Sequence, residues 1–191
     1  MQPKNFPFIN RSLLKTLQVN IGYKCNQRCS HCHVNAGPDR TEMMSNKNIE
    51  MLVNTFKTNK FSTLDITGGA PEMHPMFKHV IKEAKDQNIE VIDRCNLTIL
   101  TENGYEDLAA FLTKFKVQII ASLPCYLEKN VDKQRGYGVF KKSIQALKKL
   151  NSYGYGIEGT GLTINLVYNP IGACLPPPQS ELEITYKKKL Y

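Results

Sequence analysis

The 191-residue sequence contains no tryptophan and no apolar run that approaches the roughly 20 residues needed to cross a bilayer. Its first 14 residues include Pro3, Asn5, Pro7 and Asn10, and they lack the continuous apolar segment of a secretory signal peptide. These absences exclude a membrane-spanning or signal-directed protein, and we expect a soluble protein of the cytoplasm. In that compartment the six cysteines are more typical of metal ligands or free thiols than of disulfides.

Acidic residues are also few, with 17 against 25 basic residues and a formal net charge of +8. Part of the basic excess lies in three lysine clusters, at 141–142, 148–149 and 187–189. Such clusters can bind nucleic acid or an acidic partner. No aromatic platform or nucleic-acid motif accompanies them, so we interpret them as solvated helix faces and a charged tail, and expect no nucleic-acid partner.

Strand and helix patterns alternate along the chain, and the apolar content of 41% is sufficient for one folded domain. Short apolar segments predict strands at 17–21, 62–67, 89–93, 117–122 and 162–168. Apolar residues at helical spacing predict four helices, with the faces Ile49/Leu52/Val53/Phe56, Phe77/Val80/Ile81/Ala84, Leu108/Phe111/Leu112/Phe115 and Phe140/Ile144/Leu147. Ser45 is a good N-cap for the first of them.

Five strand–helix steps in a row predict an α/β fold with parallel strands and outer helices. Right-handed crossovers would curl the sheet into a partial (β/α) TIM-like barrel, although periodicity alone does not exclude a doubly wound sheet. The pattern fades after Asn169–Pro170, and a further helix is possible from Glu181. We therefore expect an N-terminal extension at 1–14, a barrel domain at 15–170 and the start of a C-terminal region at 171–191.

Three cysteines, Cys25, Cys29 and Cys32, lie within eight residues in the loop after the first predicted strand. In α/β proteins, ligands collect beyond the carboxyl ends of the strands. Three thiolates can hold three irons of a [4Fe–4S] cubane and leave the fourth iron open to a ligand. Zinc, with His31 or His33 as the fourth ligand, is the main alternative, although the usual two-pair spacing is absent. Three unliganded thiols are the other alternative.

The spacing C-x3-C-x2-C resembles the signature of the radical S-adenosylmethionine (SAM) enzymes. His31 occupies the position before the third cysteine, where the family usually has an aromatic residue near the adenine. The segment Gly68-Gly69-Ala70-Pro71-Glu72 resembles the Gly-Gly-Glu segment that binds the amino group of SAM, with the acidic residue two positions later. The resemblance implies a [4Fe–4S] cluster on the three cysteines, SAM as a second cofactor, and an electron donor such as a flavodoxin or ferredoxin.

Longer stretches resemble the radical SAM proteins of arsenosugar biosynthesis; they lie at 17–27, 31–38, 40–44, 94–98, 121–126, 135–138 and 165–170. This resemblance implies that the 5′-deoxyadenosyl group is joined to a methylated trivalent arsenical. Members of that family continue into further barrel structure and a cysteine-containing C-terminal region. We therefore expect the last strands of the barrel to be missing from this chain.

Five further residues follow predicted strands or lie near them, where active-site groups gather. Ser122 is a candidate for the ribose hydroxyls of SAM, and Arg135 for its carboxylate. Asn96 is a further candidate for cofactor binding. Arg94 is a candidate catalytic residue because it lies just past the third predicted strand. Cys125 is the other candidate, because a thiol suits a soft arsenic centre. Strand-end, surface-loop and inert core positions remain the alternatives for these residues.

Overall fold

A computed structural model describes residues 8, 10, 12–58 and 60–190, and in it five parallel strands form one sheet. The strands are β1 (Thr16–Asn20), β2 (Thr63–Thr67), β3 (Glu90–Asp93), β4 (Gln118–Ser122) and β5 (Ile164–Val167). Each strand pairs with the next one in sequence. The order has no reversal, which a doubly wound sheet requires. The predicted α/β partial barrel is therefore confirmed, with β1 and β5 at its two edges.

In the part of the chain that the structure describes, six helices connect or follow the strands: α1 (Asn46–Thr58), α2 (Phe77–Asp86), α3 (Leu108–Lys114), α4 (Glu128–Arg135), α5 (Val139–Ser152) and α6 (Gln179–Leu190). Short 3-10 turns lie at Pro71–Met73 and Thr98–Thr101. Of the predicted N-terminal extension, residues 1–7, 9 and 11 lie outside the described residues. None of the helices described here is both long and apolar enough to cross a membrane.

The first two predicted helices form as their sequences indicate. The Ser45 hydroxyl accepts a hydrogen bond from the Asn48 backbone N–H at 3.3 Å, which satisfies one of the free donors at the start of α1. In α2 the predicted apolar face is fully buried, at Phe77, Val80, Ile81 and Ala84. The 3.6-residue period therefore identifies the correct face here.

Helix α5 differs from the prediction in which of its residues are buried. The large residues of the predicted face, Phe140, Ile144 and Leu147, are only partly buried. The fully packed positions are Val139, Ser143, Ala146 and Leu150. Small side chains at two of these positions allow close approach of the helix, and the Ser143 hydroxyl is satisfied by the Val139 carbonyl at 2.7 Å. The helix therefore forms where the apolar spacing predicts it, and its most deeply buried positions lie next to the predicted apolar residues.

Helix α4 was not predicted. Its sequence, EKNVDKQR, has a single apolar residue, Val131, and so shows no helical period of apolar residues. Its last residue, Arg135, is buried and lines the site described below. Helix α4 is therefore too short and polar to be predicted from apolar spacing, although it positions Arg135 in the site.

The two faces of the sheet have different environments. Leu64, Ile66, Ile119 and Ala121 are fully buried between the sheet and the helices. The alternate residues of β4, Ile120 and Ser122, are half-buried and line an open cavity on the other face. The adjacent apolar residues Ile119 and Ile120 predict a strand that is buried on both faces. That prediction is wrong, because the concave side of this partial barrel is open.

Candidate cofactor site

A cavity of about 730 Å³ lies at the carboxyl ends of the strands. Ten of the thirteen predicted site residues line it, so the fold brings most of them to one place: Cys25, Cys29, His31, Cys32, Gly68, Gly69, Arg94, Asn96, Ser122 and Arg135. Ala70, Glu72 and Cys125 do not line it. The wall also includes residues that sequence reasoning did not identify, among them Gln18, Gln27 and Tyr168.

The cysteine loop is held by backbone hydrogen bonds, including Cys25 N–H to the Gly37 carbonyl at 3.1 Å. The sulfurs of Cys25 and Cys32 accept backbone N–H bonds from Gln27 (3.4 Å) and Ala36 (3.3 Å). Burial raises the pKa of Cys25, whereas hydrogen bonds from Gln27 and Asn96 oppose that rise. Donors to sulfur stabilise the thiolate form, which is the form that binds a metal.

The distances between the sulfurs of Cys25, Cys29 and Cys32 bear on whether the loop binds zinc or an iron–sulfur cluster. In the described residues, the group of three ligand-type side chains whose atoms all lie within 4.8 Å of one another is Glu72, Asp93 and Cys95. The three loop cysteines do not form such a group. A tetrahedral zinc site with 2.3 Å Zn–S bonds would place sulfurs about 3.8 Å apart. At least two of the loop sulfurs therefore lie farther apart than in such a zinc site, a spacing that is compatible with the larger iron–sulfur cluster.

The Gly68–Gly69 segment packs directly on the backbone of the cysteine loop. Gly69 N–H donates to the Gly22 carbonyl and Ala70 N–H donates to the Lys24 carbonyl, both at 2.9 Å. A Cβ at position 69 would lie 2.9 Å from both the carbonyl carbon of Lys24 and the carbonyl oxygen of Tyr23, closer than real Cβ atoms approach. The glycine is therefore required by the contact between these two loops.

A buried hydrogen-bond network connects α4 to the cysteine loop. Arg135 donates to the backbone carbonyl of Ser122, to Gln27 Oε1 at 2.7 Å and to the Asn96 carbonyl at 3.1 Å. Gln27 Nε2 in turn donates to Thr98 Oγ1 at 2.6 Å. Only 3% of Arg135 is exposed, which contradicts the surface alternative for this residue. Nothing in the sequence identified Gln27 beyond its place between two cysteines.

Asn96 is also buried, with 5% exposed, so the surface-loop alternative is wrong for this residue as well. Its side-chain amide donates to the Cys25 sulfur at 3.4 Å and to Asn26 Oδ1 at 2.7 Å. Its amide oxygen accepts from the Ile99 N–H at 3.1 Å, which fixes the orientation of the side chain. Asn96 therefore links the loop after β3 to one cysteine of the proposed cluster.

Arg94 forms a two-pronged ion pair with Asp65 on the neighbouring strand β2. Arg94 Nε to Asp65 Oδ1 and Nη2 to Oδ2 are both 2.8 Å, and Gln18 donates to the same carboxylate at 2.8 Å. Burial alone would raise the pKa of Asp65, but the hydrogen bonds from Arg94 and Gln18 lower it below its usual value. The guanidinium is therefore oriented along the cavity wall by a carboxylate.

The other predicted residues have different surroundings. Burial, followed by the charge of Arg135, lowers the pKa of His31. Ala70 packs in a small buried cluster with Cys25 and Ala36. Cys125 is 5% exposed, and its sulfur accepts a hydrogen bond from the Asn130 amide at 3.5 Å. Glu72 is buried away from the cavity wall.

Similarity to solved structures supports the fold. Two crystal structures of Streptococcus suis SuiB, one bound to S-adenosylmethionine and one bound to precursor peptide SuiA, both match with a TM-score of 0.67. Sequence identity is 17% and 18%, and 93% of this chain is covered in both, against 38% and 37% of SuiB. At these identities the similarity shows a shared fold.

Two curated proteins are similar in sequence. One is the "Antilisterial bacteriocin subtilosin biosynthesis protein AlbA" of Bacillus subtilis (strain 168), 25% identical over 135 residues, 70% of this chain and 30% of AlbA. The other is the "Probable GTP 3′,8-cyclase" of Methanocaldococcus jannaschii, 27% identical over 138 residues, 71% of this chain and 45% of that protein. This chain thus spans less than half the length of either relative.

The sequence model of the radical SAM superfamily matches residues 19–170. The matched span begins inside β1 and ends just after β5, so it contains strands β2 to β5, the cysteine loop and most of the cavity wall. Members of this superfamily use a [4Fe–4S] cluster together with SAM. With the fold, the cavity and this match in agreement, the chain belongs to the radical SAM superfamily.

Proposed function

We propose that this chain is the catalytic barrel of a radical SAM enzyme and that Cys25, Cys29 and Cys32 bind its [4Fe–4S] cluster. The observation that carries the proposal is the convergence of the three cysteines and the Gly68–Gly69 segment on one cavity at the carboxyl ends of the strands. That edge is where α/β barrels bind their ligands.

The chemistry of the cavity wall fits both cofactors. Three thiols with N–H donors on two of their sulfurs suit three irons of the cluster. Within the described part of the chain, no group donates to the carbonyl oxygens of Gly68 and Gly69, so both can accept hydrogen bonds from the ammonium group of SAM. The resemblance also implies SAM contacts from Ala70, Glu72 and the backbone of His31, and of these three residues His31 lines the cavity.

When bound, the cluster and SAM supply a one-electron reductive cleavage of the C5′–S bond, which yields methionine and a 5′-deoxyadenosyl radical. The protein's own part is to orient the cofactor and exclude water. Ser122, on the cavity wall at the end of β4, offers a hydroxyl to the ribose. The Nε–H of Arg135 is buried without a partner among the described residues, which supports a charge-assisted bond to the SAM carboxylate.

We further propose a methylated trivalent arsenical as the substrate. The C5′–S bond of SAM would break and a C5′–As bond would form, and the electron used for the cleavage would be returned as arsenic passes from the trivalent to the pentavalent state, so that the overall transfer consumes no electron. The long stretches that resemble the arsenosugar-biosynthesis proteins support this choice. Arg94, which lines the cavity and is held by its ion pair with Asp65, is the proposed catalytic residue. Cys125 is the proposed arsenic-binding thiol, because it directly follows Pro124 on the cavity wall. Its support is weaker than that of Arg94, since Cys125 is buried and does not itself line the cavity.

A peptide is the second candidate substrate. AlbA is named for bacteriocin biosynthesis, and SuiB has been crystallised with its precursor peptide SuiA. In the described sheet β5 is an edge strand, and 42% of Val167 on it is exposed beside the cavity. An edge strand of this kind can pair with an extended peptide.

The test is anaerobic reconstitution with iron and sulfide, followed by reduction with SAM and detection of 5′-deoxyadenosine. Cys32→Ala removes one proposed ligand, and Cys174→Ala is the matched control, because Cys174 is exposed and does not line the cavity. We expect nucleoside from wild type and from Cys174→Ala, and none from Cys32→Ala. Binding of zinc in place of iron, or a complete cluster without nucleoside, would contradict the proposal.

The substrate is tested in the same reaction. A methylated trivalent arsenical should give an adenosylated arsenical, detected by arsenic-specific mass spectrometry, at the expense of free 5′-deoxyadenosine. A product on an added peptide, with no change on the arsenical, would favour the second candidate.

A further inference from the structure

Three buried side chains lie together outside the cofactor cavity. Glu72 is on the 3-10 turn after Gly68–Gly69, Asp93 ends β3, and Cys95 follows two residues later. One ligand atom from each lies within 4.8 Å of the other two. Their exposed fractions are 6%, 0% and 0%, and none of them lines the 730 Å³ cavity.

Burial raises the pKa of all three groups of this triad, so ionising them requires a compensating charge. Both carboxylate oxygens of Glu72 and of Asp93 are buried and accept no hydrogen bond from an N–H or hydroxyl group among the described residues, so a shared proton or a bound cation must lie between the two carboxyls. Burial is the largest cause of the raised pKa of Asp93, followed by the charge of Glu72, a hydrogen bond with Glu72, and the charge of Asp65. Arg94, the adjacent residue in sequence, is paired with Asp65 instead. Buried carboxylates of this kind are normally paired or bound to a metal.

We propose that Glu72, Asp93 and Cys95 bind one divalent cation of the zinc class, at a second metal site separate from the cysteine loop. One thiolate with two carboxylates is a donor set that zinc accepts, whereas magnesium and calcium prefer oxygen alone. A carboxylate that binds through both oxygens completes four ligands.

The position of the site gives the cation a structural role. Glu72 lies on the turn that directly continues the Gly68–Gly69 segment, and Cys95 precedes Asn96, whose side chain contacts Cys25. A cation at the triad therefore ties together the ends of β2 and β3, from which two cofactor-binding segments arise. It also assigns Glu72 a role other than the SAM contact that the family resemblance implies.

The loop cysteines can also bind zinc, so the test uses the full chain with Cys25, Cys29 and Cys32 all replaced by alanine. This loop variant, purified from zinc-supplemented cells, should retain about one zinc per chain by elemental analysis. Adding Cys95→Ala should reduce zinc at least tenfold. Adding Cys174→Ala is the control, because Cys174 is also a free thiol but lies outside the triad and outside the cavity, and it should leave zinc unchanged.

Two further measurements keep the proposal testable if Cys95→Ala fails to fold. Cobalt(II) substituted into the loop variant should show a thiolate-to-cobalt absorption band. Asp93→Asn, which preserves side-chain shape, should lose most of the zinc, and a chelator should then no longer lower its melting temperature. A loop variant that is folded by circular dichroism, contains no zinc and shows no cobalt–thiolate band would overturn the proposal and indicate that protons hold the triad together. Because these readouts do not involve SAM, their outcome is independent of the proposed enzymatic activity.

Discussion

Replacing Gly69 with alanine tests the contact between the two cofactor loops. The added methyl group would lie 2.9 Å from the Lys24 carbonyl carbon and the Tyr23 carbonyl oxygen, and closer still to the Lys24 carbonyl oxygen. All of these atoms belong to the backbone, so no side chain can rotate away. The backbone conformation of Gly69 is not left-handed, so the expected cost arises from the clash alone.

The expected loss of unfolding free energy in Gly69→Ala has two causes. Overpacking a tight site costs about 1–3 kcal/mol. The backbone shift also weakens the hydrogen bonds from Gly69 N–H to Gly22 and from Ala70 N–H to Lys24, each worth about 1 kcal/mol. The free energy of unfolding should therefore fall by about 2–4 kcal/mol, which for a chain of this size lowers the melting temperature by about 5–15 °C.

Thermal unfolding followed by circular dichroism measures the stability, and iron per chain after reconstitution measures the effect on the adjacent Cys25. Gly104→Ala is the control: Gly104 has a φ of +86° and no atom within 4 Å of an added Cβ. Gly104→Ala should lower the free energy of unfolding by about 1–2 kcal/mol, because alanine is strained in a left-handed backbone conformation. Its iron content should be unchanged. An unchanged melting temperature and full iron content in Gly69→Ala would refute the contact between the loops.

Three further predictions concern the polar groups around the cavity. Arg135→Met should lower the free energy of unfolding by about 3 kcal/mol in urea titrations, because three buried acceptors lose their donor, and Arg135→Lys should recover only part of it. Asn96→Leu removes the donor to the Cys25 sulfur, so the midpoint potential of a reconstituted cluster should become more negative in a redox titration followed by electron paramagnetic resonance; an unchanged potential would argue against that bond. The pKa of Asp65 is lowered in the folded state, so its contribution to stability is present above about pH 4 and is lost as pH falls through the lower folded-state value. Melting temperatures between pH 2 and 5 should therefore fall more steeply in wild type than in Asp65→Asn, and equal slopes would contradict the assigned pKa direction.

The elements with a strong local pattern could be predicted from the sequence. The five strands and helices α1, α2, α3 and α5 lie where apolar spacing placed them, because each buries one face and its period is visible in a short window. Helix α4 and the buried face of α5 could not be found in this way. Both depend on packing against neighbouring elements, and small or polar residues give no periodic apolar pattern from which that packing could be predicted.

Much of the cavity wall was also predictable, because each parallel strand delivers the residues that follow it to the same edge of the sheet. Cys25, Cys29 and Cys32, the glycine pair, Arg94 and Asn96 all follow strands and all line the cavity. The sequence alone therefore determined the superfamily signature, the alternation of strands and helices, and the edge of the sheet at which the site forms.

Only the tertiary structure decided how the side chains from separate segments contact one another. Arg135 joins Gln27 and Asn96, which are 108 and 39 residues away, and Gly69 meets the backbone of Lys24. Glu72 follows the glycine pair in sequence yet lies against Asp93 and Cys95 on the other side of the sheet from the cavity. These contacts depend on loop paths and on which face each residue occupies after packing, and no local period in the sequence encodes them.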